Sequence, residues 1–356
     1  MDKETLSNTK KEETITTTTT ASTTTTTTTI DDTEPNNKNP LKILVLGVGV
    51  IGSLMVHYLC EAGNDVTVCA RKTYPELKEN GLILKHHIQK KTTVDHPKVV
   101  KEVDFSEKYD IVFSVMQGQQ QLALLDTYSR VHTKLLVLVG NNMEADRCEA
   151  FINEHNVSER HILFGFQSSA GHREDGITVV ARTPTVSLFI GGLRSPGHPK
   201  DLCLVKRAFK VKGYKLIEVA NMYAYYLYHV DQIMPLAYLS YKYDCDLKKA
   251  TSKDITMVME ASKEAIEFLK ANNIMPNGED TYYYGLKGKL MYAFFRVICK
   301  NTIGRLMISD HCRNAVDEMK YLDDRFEQYR TQHSKMDMPT WETTRKWAKS
   351  AFNLKE

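Results

Sequence analysis

The chain has little net charge to offer a polyanion. Its 47 Lys and Arg stand against 44 Asp and Glu for a balance of +3, and the cations are scattered rather than clustered, so there is no footprint for a nucleic acid. It also has no C-x-x-C pair, and its seven cysteines make an odd number. That argues against a disulfide scaffold and for thiols held in a reducing compartment; no metal is expected. Long hydrophobic runs are missing too. The longest, Ile43 to Val56, is interrupted by Gly47, Gly49, Gly52 and Ser53 and falls short of the roughly 20 residues a membrane helix needs. Finally, no arginine precedes Arg71, whereas Asp2, Glu4, Glu12, Glu13, Asp31 and Asp32 all do. A mitochondrial presequence would be Arg-rich and acid-poor. The expectation is a soluble, cytoplasmic protein without a membrane partner.

What is present divides into three parts. Residues 1–40 are dominated by threonine from Thr14 to Thr29, flanked by Lys, Glu, Asp and Asn; lacking apolar surface to offset the entropy of ordering, they read as a disordered tail. The remainder is long enough for two domains, and 42% hydrophobic with 26% charged residues is ordinary for globular material. We place one domain over 41–205 and a second over 206–356.

The first of these begins with LKILVLGVGVIGSLMVHYLCEAGNDVTVCAR, Leu41 to Arg71. Lys42 to Leu46 suits a buried parallel strand, Ile51 to Cys60 has helical spacing closed by Gly63, and Val66 to Ala70 is a second strand. Gly47, Gly49 and Gly52 fall at G-x-G-x-x-G spacing on the strand-to-helix turn, where they permit a tight turn, backbone approach to a pyrophosphate and close helix packing respectively. The backbone at Val50 and Ile51 belongs to the same anion-facing helix start. An acid after the second strand would take the ribose hydroxyl of NAD, whereas Arg71, reinforced by Lys72, accommodates the additional phosphate of NADP.

Further along, Tyr109 to Gln120 and Lys134 to Met143 read as strands running into polar turns, which puts Gln117 and Asn141 where strand ends meet ligands. Strand signals stop after Gly192. TSKDITMVMEASKEAIEFLKANN has Ile255, Val258, Met259, Ala265, Ile266 and Leu269 on one face, with Ser252 as N-cap and Asn272 and Asn273 at the stop. Segments from about Tyr223, Tyr282, Asp310 and Thr340 also read as helical.

The order of these motifs resembles the ketopantoate reductases, or 2-dehydropantoate 2-reductases, from about Leu41 to Asn353. The resemblance lies in the glycine turn followed by Arg71, NNM at Asn141 to Met143, SSAGHREDG at Ser168 to Gly176, LFIGG at Leu188 to Gly192 and IMPLA at Ile233 to Ala237. It implies a Rossmann-type doubly wound parallel sheet followed by an all-helical domain, with the active site between them. It also implies NADPH-dependent reduction of ketopantoate to pantoate, a step of pantothenate biosynthesis, and a homodimer is a possible assembly. In the family a lysine donates the proton, and a glutamate and an asparagine hold the substrate. Asn141 falls on the asparagine and Glu318 on the glutamate; Asp310, eight residues before Glu318, also matches.

The lysine is the departure. Counting back from Pro235, its position is taken by Tyr226, and no lysine lies between Lys215 and Lys242. Val230 and Met234 replace two family asparagines, and Gln117 replaces the lysine after the fourth strand. Tyr226 is one substitute proton donor, His229 on the same helix a second, and His311 a third; an aromatic stripe including Tyr223, Tyr225 and Tyr228 is also what core packing produces. Three functions follow: an NADPH-dependent reductase of a small 2-keto acid, a non-catalytic NADP(H)-binding sensor, and a related two-domain dehydrogenase with another substrate. Retention of Glu318 and Asp310 favours an enzyme.

Overall fold

In the computed structural model the described residues are 39–157, 159–274, 282–333 and 336–354; the threonine-rich tail lies outside them. The apolar run Lys42–Leu46 forms β1, continues through the glycine turn into α1 (Val50–Glu61), and returns as β2 (Asp65–Cys69). After α2 (Tyr74–Asn80), β3 (Leu82–His86) and β4 (Lys91–Asp95) leave the main sheet, and β5 (Lys98–Val100) rejoins it beside β2. β6 (Lys108–Val115) crosses to the other side of β1 and is followed by α3 (Gly118–Leu122), α4 (Leu125–Arg130), β7 (His132–Val139), α5 (Ala145–Glu154) and β8 (His161–Gln167).

The large sheet therefore runs β5-β2-β1-β6-β7-β8 with all neighbours parallel. This is the winding of a dinucleotide-binding sheet, with its topological switch between β1 and β6. β1, β6 and β7 are buried along most of their length, which explains why they read as continuous apolar runs rather than alternating ones.

A second, four-stranded sheet, β4-β3-β10-β9, is built from the excursion after α2 together with β9 (Ala170–Glu174) and β10 (Ile177–Ala181). It packs on the outer side of α1. Helix α1 is therefore covered on two sides, and every residue from Gly52 to Leu59 is buried, so its sequence has little polar face to show. Two buried polar side chains tie the layers: Ser53 on α1 accepts a hydrogen bond from Thr178 of β10, and His57 meets Asp95 at 2.8 Å.

Two expectations need correction. The boundary at 205/206 falls inside α6 (Pro199–Ala208), and strand structure does not end at Gly192: β11 (Val186–Gly191) pairs antiparallel with β8, and β12 (Tyr214–Glu218) extends the large sheet beside it. The strand at 214–218 escaped notice because its burial is uneven, with Lys215 and Glu218 exposed. The helical domain proper starts at α7 (Met222–Lys242), continues with α8 (Ser252–Ala271), α9 (Gly285–Ile298), the single turn α10 (Thr302–Gly304), a π-turn over Arg305–Ser309, α11 (Asp310–Asn314) and α12 (Val316–Gln332), and ends with α13 (Pro339–Arg345) and α14 (Lys349–Phe352). Helix α8 is capped one residue earlier than expected. Thr251, not Ser252, closes a capping box with Asp254, because that pairing satisfies donors at both ends of the first turn. Among the described residues no helix is long and apolar enough to cross a membrane.

The glycine turn is fixed by close contacts. Gly47 has φ +95°, and a Cβ there would lie 2.4 Å from the Val115 carbonyl oxygen; a Cβ at Gly52 would lie 2.0 Å from the Gly47 oxygen. At Gly49 nothing lies within 4 Å. Gly52→Ala is therefore expected to destabilise the protein by about 1–3 kcal/mol through forced backbone displacement, and Gly49→Ala by less than about 0.5 kcal/mol. Urea denaturation of the two variants checks the contrast.

Candidate active site

The site lies at the carboxyl ends of β1, β6 and β7, where the two halves of the sheet diverge. Gln117 follows β6 and is the N-cap of α3, Asn141 follows β7, and both amides turn toward α12. There the Glu318 carboxylate receives the Gln117 Nε2 at 3.1 Å on one oxygen and the Asn141 Nδ2 at 3.4 Å on the other. The approach of α12 depends on Gly118. A Cβ there would lie 2.6 Å from the Asn141 carbonyl oxygen and 2.8 Å from the Tyr321 hydroxyl. Glu318 is only 6% exposed, and a carboxylate so far out of water is retained when polar partners replace its hydration.

Histidines gather beside this carboxylate. His311 Nε2 is 3.6 Å from Glu318, and His311 is half-buried, with its ring reaching solvent. Asp310 accepts from Arg313 at 2.9 Å and lies 3.9 Å from His172 Nδ1. His172 comes from β9 of the small sheet and its Nδ1 is buried without a hydrogen-bond partner. Asn141 likewise keeps its Oδ1 buried and unpartnered. Two orphaned buried polar atoms close to two carboxylates mark a place built to bind something polar.

His229, on α7, stands next to this group. Its ring packs 4.1 Å from that of Phe166 and lies parallel to Tyr225. Burial, followed by the neighbouring charge of His311, lowers its pKa to about 4, so it is neutral at physiological pH.

Tyr226 is not brought to the site. It is 2% exposed in the core beneath the sheet, and its hydroxyl donates to the Gly165 carbonyl oxygen at 3.1 Å. Burial pushes the phenol well above its ordinary pKa, the reverse of what a proton donor at neutral pH requires. The expectation that Tyr226 replaces the lysine fails on geometry: the side chain on α7 one residue away from the cleft-facing row points into apolar packing, and spacing from Pro235 does not report that rotation. Gln117, expected at the cofactor, is instead a partner of Glu318.

The cofactor-facing half keeps its expected form. Gly49 is the N-cap of α1 with no side-chain cap, and the first turn of α1 carries no acid. The backbone N–H groups at Val50 and Ile51 belong to the end of the helix that attracts anions. With open space over Gly49 and the exposed Arg71 and Lys72 past the end of β2, the residues fit a phosphate-bearing dinucleotide. Sequence reading missed Arg173. From β9 it donates to the Val48 carbonyl oxygen at 3.2 Å and reaches Glu76 at 3.4 Å, adding a cation to the glycine turn. It stands in the Ser168 to Gly176 stretch already singled out, but no local pattern says that β9 will fold back over α1.

Residues 43–194 match the family model Ketopantoate reductase PanE/ApbA. Over this stretch the chain is similar to the ketopantoate reductase family. The family comprises oxidoreductases acting on CH–OH groups. Solved structures similar to the whole fold include 2-dehydropantoate 2-reductase from Geobacter metallireducens GS-15, with 14% identity, TM-score 0.65, and coverage of 87% of this chain and 100% of that one. D-mandelate dehydrogenase in a ternary complex with NADH and anilino(oxo)acetate has 15% identity and TM-score 0.62, covering 88% and 98%. A dimeric ketopantoate reductase from Staphylococcus aureus has 10% identity and TM-score 0.58, covering 88% and 99%. At these identities the likeness carries the fold alone. No curated protein sequence matches the chain.

Because the Tyr226 hydroxyl serves packing, Tyr226→Phe is expected to cost about 1 kcal/mol of stability for the lost hydrogen bond. Denaturant melts should show this loss, while ligand affinity at the cleft stays unchanged.

Proposed function

We propose that the protein is a cytoplasmic, NADPH-dependent reductase of a small 2-keto acid, a divergent ketopantoate reductase in which His311 stands in for the family lysine. The observation that carries this reading is the Glu318 carboxylate held by Gln117 and Asn141 beside the solvent-reaching imidazole of His311. A cluster of this kind, with a titratable nitrogen next to a fixed carboxylate at the switch point of the sheet, suits general acid catalysis on a carbonyl.

The glycine turn and α1 hold the diphosphate of the cofactor, and Arg71 with Lys72 receives the ribose phosphate that distinguishes NADPH from NADH. A bound nicotinamide supplies the hydride. His311 gives a proton to the carbonyl oxygen as negative charge develops there, and the Asn141 amide orients the same group. Glu318, 3.6 Å from the His311 Nε2, holds the His311 ring in place. His229 and Phe166 exclude water from the inner wall of the cleft.

Oxidation of NADPH by the purified protein with ketopantoate and a panel of 2-keto acids tests the reading. His311→Asn is expected to lower kcat about 100-fold or more with little change in NADPH affinity. His229, with its pKa near 4, contributes no titration above that range. Arg71→Glu should weaken NADPH far more than NADH. Tight NADPH binding without turnover on any keto acid would instead assign a dinucleotide-binding module.

A further inference from the structure

Helix α9 is apolar on two opposite sides, and only one of them is covered. Gly288, Phe295 and Ile298 are buried against the helical domain. At 3.6 residues per turn, Leu286, Leu290, Phe294 and Val297 fall in a single row on the other side, and they are 74%, 63%, 52% and 64% exposed. Ile303 and Met307, on the turns that follow, are exposed as well. Large apolar side chains left in water as a row, rather than singly, mark a surface that meets something.

The charges around the row identify its partner. From Gly285 to Ser309 the chain carries Lys287, Lys289, Arg296, Lys300 and Arg305 and not one Asp or Glu. By the same helical geometry Lys287 falls on one flank of the apolar row, and Lys289 and Arg296 on the other. A second copy docked face to face across a two-fold axis would set the flank of Lys289 and Arg296 against itself, cation to cation. An apolar row between two lines of cations on a helix lying along the surface, with its inner side anchored in a domain, instead matches the way amphipathic helices lie in the interface of an anionic bilayer.

We propose that α9 docks the protein onto anionic lipid surfaces, with Leu286, Leu290, Phe294 and Val297 inserted among the acyl chains and Lys287, Lys289 and Arg296 on the phosphate groups. The absence of a spanning segment is compatible with this, since a helix lying on a bilayer needs only one apolar side. The expectation of no membrane partner rested on spanning runs alone.

Flotation of the full chain with vesicles of phosphatidylcholine alone, or of phosphatidylcholine with phosphatidylserine, tests the proposal. Capture is expected on the anionic vesicles only, and it should weaken at high salt. Leu290→Glu with Phe294→Glu should abolish it. The milder Lys289→Gln with Arg296→Gln should weaken partition by about thirty-fold. Since the substituted side chains are exposed, thermal melts of the variants should match the parent, separating lost docking from lost folding. No capture by anionic vesicles, capture undiminished by the Glu substitutions, or a dimer in analytical ultracentrifugation that Phe294→Glu dissociates would overturn the assignment, the last giving the row to a second copy.

Discussion

The carboxylate of Glu318 is the point at which the two halves of this molecule become one site. It leaves water almost completely, and amides from the ends of two neighbouring parallel strands replace its hydration. Neither half contains that arrangement by itself. The sheet contributes Gln117 and Asn141 as donors in search of an acceptor, and the helical domain contributes a buried charge that would be costly without them. Close approach is possible because Gly118 has no side chain where α12 presses down. His311 stands 3.6 Å from this carboxylate, and Asp310, one residue before His311, lies 3.9 Å from His172.

A second constraint acts from the opposite side. Helix α1 is enclosed between the large sheet and the small one, so the glycine turn cannot shift without disturbing both. The same small sheet supplies His172 to the Asp310 side of the cleft and Arg173 to the turn that faces the cofactor. The small sheet, built from the excursion between β2 and β5 together with β9 and β10, thus stands beside both the glycine turn and Asp310. Its polar members sit on β9, whose residues are half-buried or exposed, consistent with a surface that lines a cleft and not a core.

On α7, Tyr226 turns inward and donates to the Gly165 carbonyl oxygen. The imidazole beside the Glu318 carboxylate comes from α11, one residue after Asp310. The exposed row on α9 belongs to the same helical domain, so a docked helix and the cleft would be carried by one packed unit.

The sequence by itself determined the Rossmann start, the glycine turn, the basic residues after the second strand and most helices of the second half, because these rest on local rules: periodicity, turn stereochemistry and charge at a helix end. It also placed Asn141 and Glu318 through motif spacing. Tertiary structure alone decided that Tyr226 faces the core, that Gln117 serves Glu318, that β12 completes the large sheet and that His172 and Arg173 reach the cleft. Each of those depends on rotation about a helix axis or on pairing between distant segments. A single sequence carries no local signal for either, since the same residues satisfy their packing and hydrogen-bonding needs only once the distant partner is in place.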